Sequence, residues 1–489
     1  MNDASAPYKW ARRSTWVLGW VVCVSAAVMV TGSVMTLTSD LQRLVDVGAS
    51  AIIGVVTILL VTNWKATGWR VRTGLLFLVL GLAIPTGLLA YDRFTVRVVR
   101  VVGNSHGGLR HDLDRFNNTF SNERLHVDLV VDWQDMNTND RFEIAKRVLS
   151  GDIEADVIEL DGIWLSTFVD DGTPKLRPLD DLYHEEFARR SLFEAPVRLA
   201  RGQADNVTYA IPLYVDVGLW FYRRDILGNL ASPIQLNALI ELARGKASKV
   251  TSLEALIYQS AQYEGLNCFF YEMVALEDGA IGAFDSPGAV RALRRLHDWL
   301  YAAKSRTVPS SVLVFQEEES RRLFTMGFAV LLRNWPYVLQ SWPENNAVPF
   351  DDVGVAQVEG ARPVLGGWYL GIPRVVGTRQ VEEAAKRVVA FLTSHEQMAS
   401  RARYEVVNHR RIPPDRAVFA ELKSEYPFMD AVESALNRAI TRPRSADYLK
   451  LSSLLSEGLY SVLANPRATE AEMKNVLSEV QATRRSSAH

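Results

Sequence analysis

Three uncharged stretches crowd the first 91 residues of this 489-residue chain and constrain its fold more than any other feature. Ser14–Ser39 runs 26 residues without a charge, Val47–Trp64 runs 18 and Thr73–Tyr91 runs 19. Each is near the ~20 residues that cross a bilayer core. The second carries Gly48 and Gly54. Pro85 in the third is compatible with a membrane helix. A cleaved signal peptide is excluded because the first uncharged run exceeds an h-region and two more follow. We therefore expect a membrane anchor of three transmembrane helices over residues 1–93.

Orientation follows from the basic residues. Lys9, Arg12 and Arg13 precede the first span, and Lys65, Arg70 and Arg72 lie between the second and third. The intervening loop has only Arg43, with Asp40 and Asp46. The positive-inside rule places the N-terminus in the cytoplasm and everything after Tyr91 outside the cytoplasmic (inner) membrane. Arg93, Arg97 and Arg100 argue the other way but are outweighed, because Thr95–Val102 reads as the first strand of a large folded part and such parts translocate largely regardless of charge.

The remainder is too long for one ordinary domain. A net charge of −2 gives no footprint for nucleic acid. Cys23 and Cys268 are the only cysteines; neither a disulfide nor a metal spacing follows, and no cofactor is expected. No nucleophile elbow, zinc pattern or Ser–His–Asp set is visible, so the chain reads as a non-enzyme; a hydrolase would have to use Asp161 and Asp216 as paired carboxylates.

From Phe94 the pattern alternates. Phe94–Val102, Leu125–Val131 and Ala155–Leu160 are β-rich; Leu109–Phe120 and Arg141–Leu149 are helical. This rhythm predicts a parallel sheet covered by helices, with ligands beyond the C-terminal strand ends. Those ends are Gly103–Gly108, Asp132–Gln134 and Asp161–Trp164. The Gly-Asn-Ser-His-Gly-Gly loop matches no dinucleotide or P-loop pattern, and His106 reads as a loop residue. Asp161 reads either as a ligand acceptor or as a helix cap.

Further on, Thr208–Leu219 is extended and interrupted by Asp216, either a bend residue or a carboxylate for ligand hydroxyls. Glu317–Glu319 reads as a solvated helix face. Phe324–Tyr337 reads as a buried strand ending at Arg333-Asn334-Trp335-Pro336, which places an indole, an amide and a guanidinium at a strand end. Gly366-Gly367-Trp368 heads another strand. Phe428–Val480 reads as helical with one break near Asn465-Pro466.

Together these stretches resemble the family 1 extracellular solute-binding proteins, the maltose- and trehalose-type receptors of ABC importers. The carriers are ADVIELDGIWLSTFVDDGTPKLRPLDDL (155–182), AIPLYVDVGLWFYRRDIL (210–227), YEGLNCFFYEM (263–273), FTMGFAVLLRNWPYVLQSW (324–342), GGWYLGIPR (366–374) and RRIPPDRAVF (410–419). The resemblance implies an α/β fold: a two-lobe, type II periplasmic-binding-protein-like clamshell, here preceded by three transmembrane helices. Lobe 1 would be 94–213 plus 363–405, and lobe 2 would be 218–358 plus 408–489. It implies ligand contacts from Asp161, Trp164, Asp216, Glu264, Gly265, Asn334, Trp335, Gly366, Gly367 and Trp368, with a guanidinium from Arg411 or Arg416. The implied ligand is a carbohydrate or similar small solute, and the implied partners are ABC permease subunits. A regulatory subunit signalling lobe closure to a membrane sensor partner is the alternative. Family members carry a lipid anchor or none; three spans in that place are a departure.

Overall fold

The structure is a computed structural model that describes residues 97–486, except 106–107, 135, 137, 171, 189, 303–306, 340–341, 343–345, 404–410 and 427. The three expected membrane spans, residues 94–96 and His106 lie outside the described residues. Among the described residues no helix is long and apolar enough to cross a membrane.

Two sheets organise residues 97–486. The first contains β1 (Arg97–Gly103), β2 (Leu125–Asp132), β3 (Val157–Asp161), β4 (Ala210–Val217) and, from later in the chain, β9 (Leu365–Gly371), in the order β2-β1-β3-β9-β4. The second contains β5 (Leu219–Arg223), β6 (Glu254–Ile257), β7 (Ala329–Asn334) and β8 (Val353–Ala356), in the order β6-β7-β5-β8. Each sheet is the floor of one lobe of an α/β clamshell.

The expectation of a parallel sheet holds for β2-β1-β3 only. β9 enters antiparallel between β3 and β4, and the second sheet is also mixed. Local alternation reports the crossovers from β1 to β3; it carries no signal for a strand that returns from the other lobe 150 residues later. The first sheet is covered on both faces. Helices Leu109–Thr119 and Arg379–Leu392 supply Leu113, Phe116, Ala385, Val388 and Leu392 against Val99, Val101 and Ile211. The other face joins one continuous core that extends into the second lobe.

The chain changes sheets at Gly218. A side chain there would strike Glu272 and Arg333. Gly218 N–H donates to Val364 O at 3.2 Å, and Ile440 pairs with the same crossing through Ile440 N–Pro363 O (2.9 Å) and Leu365 N–Ile440 O (2.8 Å). Three chain segments therefore lie side by side where the lobes join.

Two readings of the sequence are corrected here. The apolar run from Phe324 is not one strand: Phe324 ends a helix (Glu317–Thr325), Gly327 turns at φ +85°, and the strand starts at Ala329. Residues 428–480 contain a second break besides Asn465, because helices Met429–Arg438 and Tyr448–Ala464 are separated by a non-helical strap. Pro443 in that strap cannot donate an i→i−4 hydrogen bond, which is the local reason.

Candidate functional site

β9 is the axis of the first lobe's contribution. Its register sets Trp368 beside Asp161 on one side and Tyr214 on the other, Gly367 beside Val215 and Gly366 beside Asp216. Gly367 has φ +145°, and a Cβ on it would meet Tyr214 O at 2.9 Å, so the close approach of β4 needs glycine. A Cβ on Gly366 would lie 3.3 Å from the Asp216 Cβ and 3.5 Å from the Trp335 ring. Bare glycine thus lets an indole from the second lobe come up to the carboxylate strand of the first.

Three indoles pack together on the first lobe. Trp164 and Trp368 meet edge-on at 5.8 Å, Trp133 lies 6.4 Å from Trp164 and 6.3 Å from Trp368, and Arg141 sits 5.6 Å over Trp368. Trp164 is 1% exposed and faces rings, whereas Trp368 is half-buried. Each edge-on pair adds roughly 0.5–1.5 kcal/mol beyond area burial.

On the second lobe, Asn334 is fully buried and serves the backbone: its amide donates to Glu317 O (3.0 Å) and Ser320 Oγ (3.1 Å), and its Oδ1 accepts from Trp335 N–H (2.8 Å). It positions Trp335 at the head of the short helix Pro336–Leu339. The half-buried Trp335 ring has the Arg333 guanidinium 4.5 Å beneath it, and its Nε1–H points at Glu317 Oε1 (3.4 Å). Glu317 is therefore no solvated face residue. It is half-buried, and burial holds its carboxyl above the ordinary range. Arg333 is itself paired with Glu272, whose Oε1 also accepts from Val364 N–H at 3.1 Å.

Three further carboxylates of the cleft differ. Glu264 opens the helix Glu264–Leu276 and accepts from Arg442 (2.8 Å), Tyr448 (2.6 Å), Asn267 (3.4 Å) and Ser452. Its acceptor capacity is filled from within the chain. Gly265 is buried beside it, where a Cβ would strike the Tyr263 ring. Asp161 caps the turn Gly162–Trp164 by accepting from Ile163 N–H (3.1 Å), and it also pairs with Arg442 (3.1 Å). Burial raises its pKa against the opposing pull of Arg442.

Asp216 has no such hydrogen bonds among the described residues. Its Oδ1 is shielded and accepts no hydrogen bond among the described residues. Burial pushes its pKa up to about 7, Arg411 opposing and Asp161 assisting. The Arg411 guanidinium stacks 4.5 Å over Tyr214, and its Nε is likewise unpartnered among the described residues. Arg416 lies apart, stacked 4.1 Å over Phe193 and donating to Asn437 (2.9 Å).

The structure thus brings Asp161, Asp216, Gly366, Gly367, Trp368 and Arg411 together on one side and Trp335 on the other. Arg442 and the indole contact of Glu317 are not legible in the sequence pattern. Pro443, directly after Arg442, was the available signal for the first; the second is masked by a charge run. Among the described residues no three His, Cys, Asp or Glu side chains converge on a metal position.

Known structures share this architecture. Maltose-bound MalE3 of T. maritima superposes with a TM-score of 0.68 at 27% identity, covering 79% of this chain and 99% of that one. A Thermotoga lettingae ABC-transporter solute-binding protein with α-D-tagatose gives 0.66 at 16%, covering 79% and 99%. UgpB from Mycobacterium tuberculosis with glycerophosphocholine gives 0.66 at 16%, covering 80% and 99%. The last two establish the fold alone. The sequence pattern described as bacterial extracellular solute-binding protein matches residues 112–399, more than half of the chain. Two mixed sheets joined at Gly218, lobes that meet where Trp335 nears Gly366 and that match have one meaning: the chain belongs to the bacterial extracellular solute-binding proteins.

Proposed function

We propose that this protein captures a carbohydrate outside the cytoplasmic membrane, to which residues 1–93 anchor it, and delivers it to an ABC permease. Family membership makes it a binder and not a catalyst. The observation that carries the ligand class is Asp216: a shielded carboxylate oxygen without a partner among the described residues, beside Gly366 and the half-buried Trp335. A sugar offers a hydroxyl rim for the carboxylate and Arg411, and a C–H face for the indole. MalE3 of T. maritima, at 27% identity, binds maltose.

In this reading Asp216, Gly366, Gly367, Trp368, Arg411 and Trp335 contact ligand. Trp164 backs Trp368, Asn334 orients Trp335, and Asp161, Glu264 and Gly265 frame the cleft. Lobe 1 is 94–213 plus 363–405 and lobe 2 is 218–358 plus 408–489, with residues 411–416 running back along lobe 1 through Val215–Ile412 and Leu192–Asp415. Ligand touches both lobes only when they are closed, so it shifts the population toward closure. The three uncharged runs support a second reading in which closure is signalled to a membrane partner.

The test is a thermal-shift panel on the full-length protein in detergent: maltose, trehalose, longer oligosaccharides, polyols and amino acids. One sugar class should raise the midpoint by linkage, and Trp335→Ala should abolish the rise. No shift with any sugar, from a protein that melts cooperatively, rejects the carbohydrate assignment.

A further inference from the structure

The cleft carboxylates Asp161 and Glu264 belong to different lobes. Asp161 ends β3 of the five-stranded sheet, and Glu264 opens the helix that follows β6 of the four-stranded sheet. One guanidinium holds both: Arg442 Nη1 is 2.8 Å from Glu264 Oε1 and Nη2 is 3.1 Å from Asp161 Oδ1. Its side chain is 5% exposed and each carboxylate 18%. We propose that Arg442 is an interlobe pin that ties the two lobes together before any ligand arrives.

The strap around it is built to hold the guanidinium still. Upstream, Ile440 is hydrogen-bonded on both sides to the Pro363–Leu365 crossing. Pro443 fixes φ immediately after Arg442. Downstream, Arg444 donates to Ser166 Oγ (3.3 Å), Arg198 O (3.2 Å) and Arg201 O, all on the first lobe. Tyr448 then begins the helix Tyr448–Ala464 and donates to Glu264 (2.6 Å). The guanidinium is thus anchored on a segment that touches both lobes and the crossing between them.

The planar fork is what allows the double contact. Its nitrogens point to two carboxylates at once, which a lysine ammonium on a flexible stem does less well. Parting the lobes pulls Asp161 from Glu264, so one ion pair must break. That leaves a poorly solvated charge without its counter-ion. Arg442 thereby biases the ligand-free protein toward closure, and it occupies two carboxylates that otherwise would accept ligand hydroxyls. It is a positioning residue: it acts on lobe geometry and not on the ligand.

This inference rests on the two-lobe fold and not on the identity of the solute, so its test uses no sugar. Spin labels go on Val130→Cys in β2 and Leu242→Cys in the helix Leu236–Ala247, which are 43% and 47% exposed. The background is full-length Cys23→Ser protein in detergent; Cys268 is buried at 1% exposure and does not label. Double electron–electron resonance then reads the interlobe distance. The parent should give a distribution dominated by the short, closed distance, with a minor open population that ligand can still draw in. Arg442→Met should enlarge the longer-distance population, raising the open-to-closed ratio ~10-fold or more, on the scale of ordinary conformational couplings. Arg442→Lys should fall between them. Asp161→Asn keeps the oxygen that accepts from both Ile163 N–H and Arg442 and removes only the charge, so it should open the lobes less than Arg442→Met does.

A parent distribution as broad as that of Arg442→Met overturns the proposal. So does an Arg442→Met distribution identical to the parent. If Arg442→Met does not fold, Arg442→Lys and Asp161→Asn decide together: distances identical to the parent in both overturn the pin. A failed sugar panel with a clear Arg442 effect would reject the carbohydrate reading and leave the pin standing.

Discussion

Glu264 and Asp216 are both half-buried carboxylates at the cleft, and they stand in opposite conditions. Glu264 accepts from Arg442, Tyr448, Asn267 and Ser452, all supplied by its own or the C-terminal helices and strap. Asp216 has an oxygen with no partner among the described residues and a pKa pushed up to about 7. A buried polar group without a partner costs free energy that the fold must offset elsewhere. The same residue type is framework where the chain completes its hydrogen bonds, and a candidate for ligand recognition where it does not.

The largest expected effect comes from breaking the satisfied side. Glu264→Ala strips Arg442, Tyr448 and Ser452 of their common acceptor and should destabilise by ~3–5 kcal/mol, the usual cost of orphaning a buried charge. Urea unfolding at pH 7 measures it. A loss under about 1 kcal/mol would mean that the four contacts are ornamental and the contrast with Asp216 is false.

Asp216 predicts the reverse behaviour. Its folded pKa lies above its ordinary value of 3.8, at about 7, so the native state binds more protons than the unfolded chain between those limits. Its contribution is fully present below pH ~4 and is lost as pH rises through ~7, amounting to at most ~4 kcal/mol. Asp216→Asn should flatten that part of the pH–stability curve, making the ligand-free variant more stable than the parent at pH 8 while its sugar affinity falls. Parallel curves for parent and variant from pH 4 to 8 would show that the carboxylate is solvated after all.

Trp335 sharpens the contrast from the second lobe. Trp335→Ala should reduce binding by ~2 kcal/mol or more, as large rings at a buried contact do, read by calorimetry with whichever sugar shifts the parent. Asn334→Ala should follow it in binding, because Asn334 holds the Trp335 amide. The smallest effect expected is for Gly367→Ala. Its φ of +145° and the Tyr214 carbonyl 2.9 Å from a new Cβ should cost ~1–2 kcal/mol of stability. Thermal melting that stays within 1 °C of the parent would show that β9 and β4 can separate freely.

Much of this was legible in the residues. The alternation from Arg97 to Asp161 gives the first strands and helices to within a few positions. Asp216, Trp335, Gly366 and Trp368 were singled out as site residues and lie close together across the cleft. The strap is hidden by the apolar spacing of residues 428–480, which continues as helix on either side of Pro443, the residue that breaks it. The pattern cannot separate Glu317 from Glu318 and Glu319, because three glutamates in a row look alike until one of them meets an indole.

Local chemistry therefore determined the elements: spacing of apolar residues, glycine and proline punctuation, and charge-free runs act over a few residues and are written in order. It also determined the family, since the stretches that carry the resemblance are short and contiguous. Only the tertiary structure decided which carboxylate is complete. Glu264 is satisfied by residues 442–452, some 180 positions away, and Asp161 shares that same guanidinium. Hydrogen bonds form over about 3 Å of space irrespective of distance along the chain, so partnership at the cleft becomes visible only once the strap has folded between the lobes.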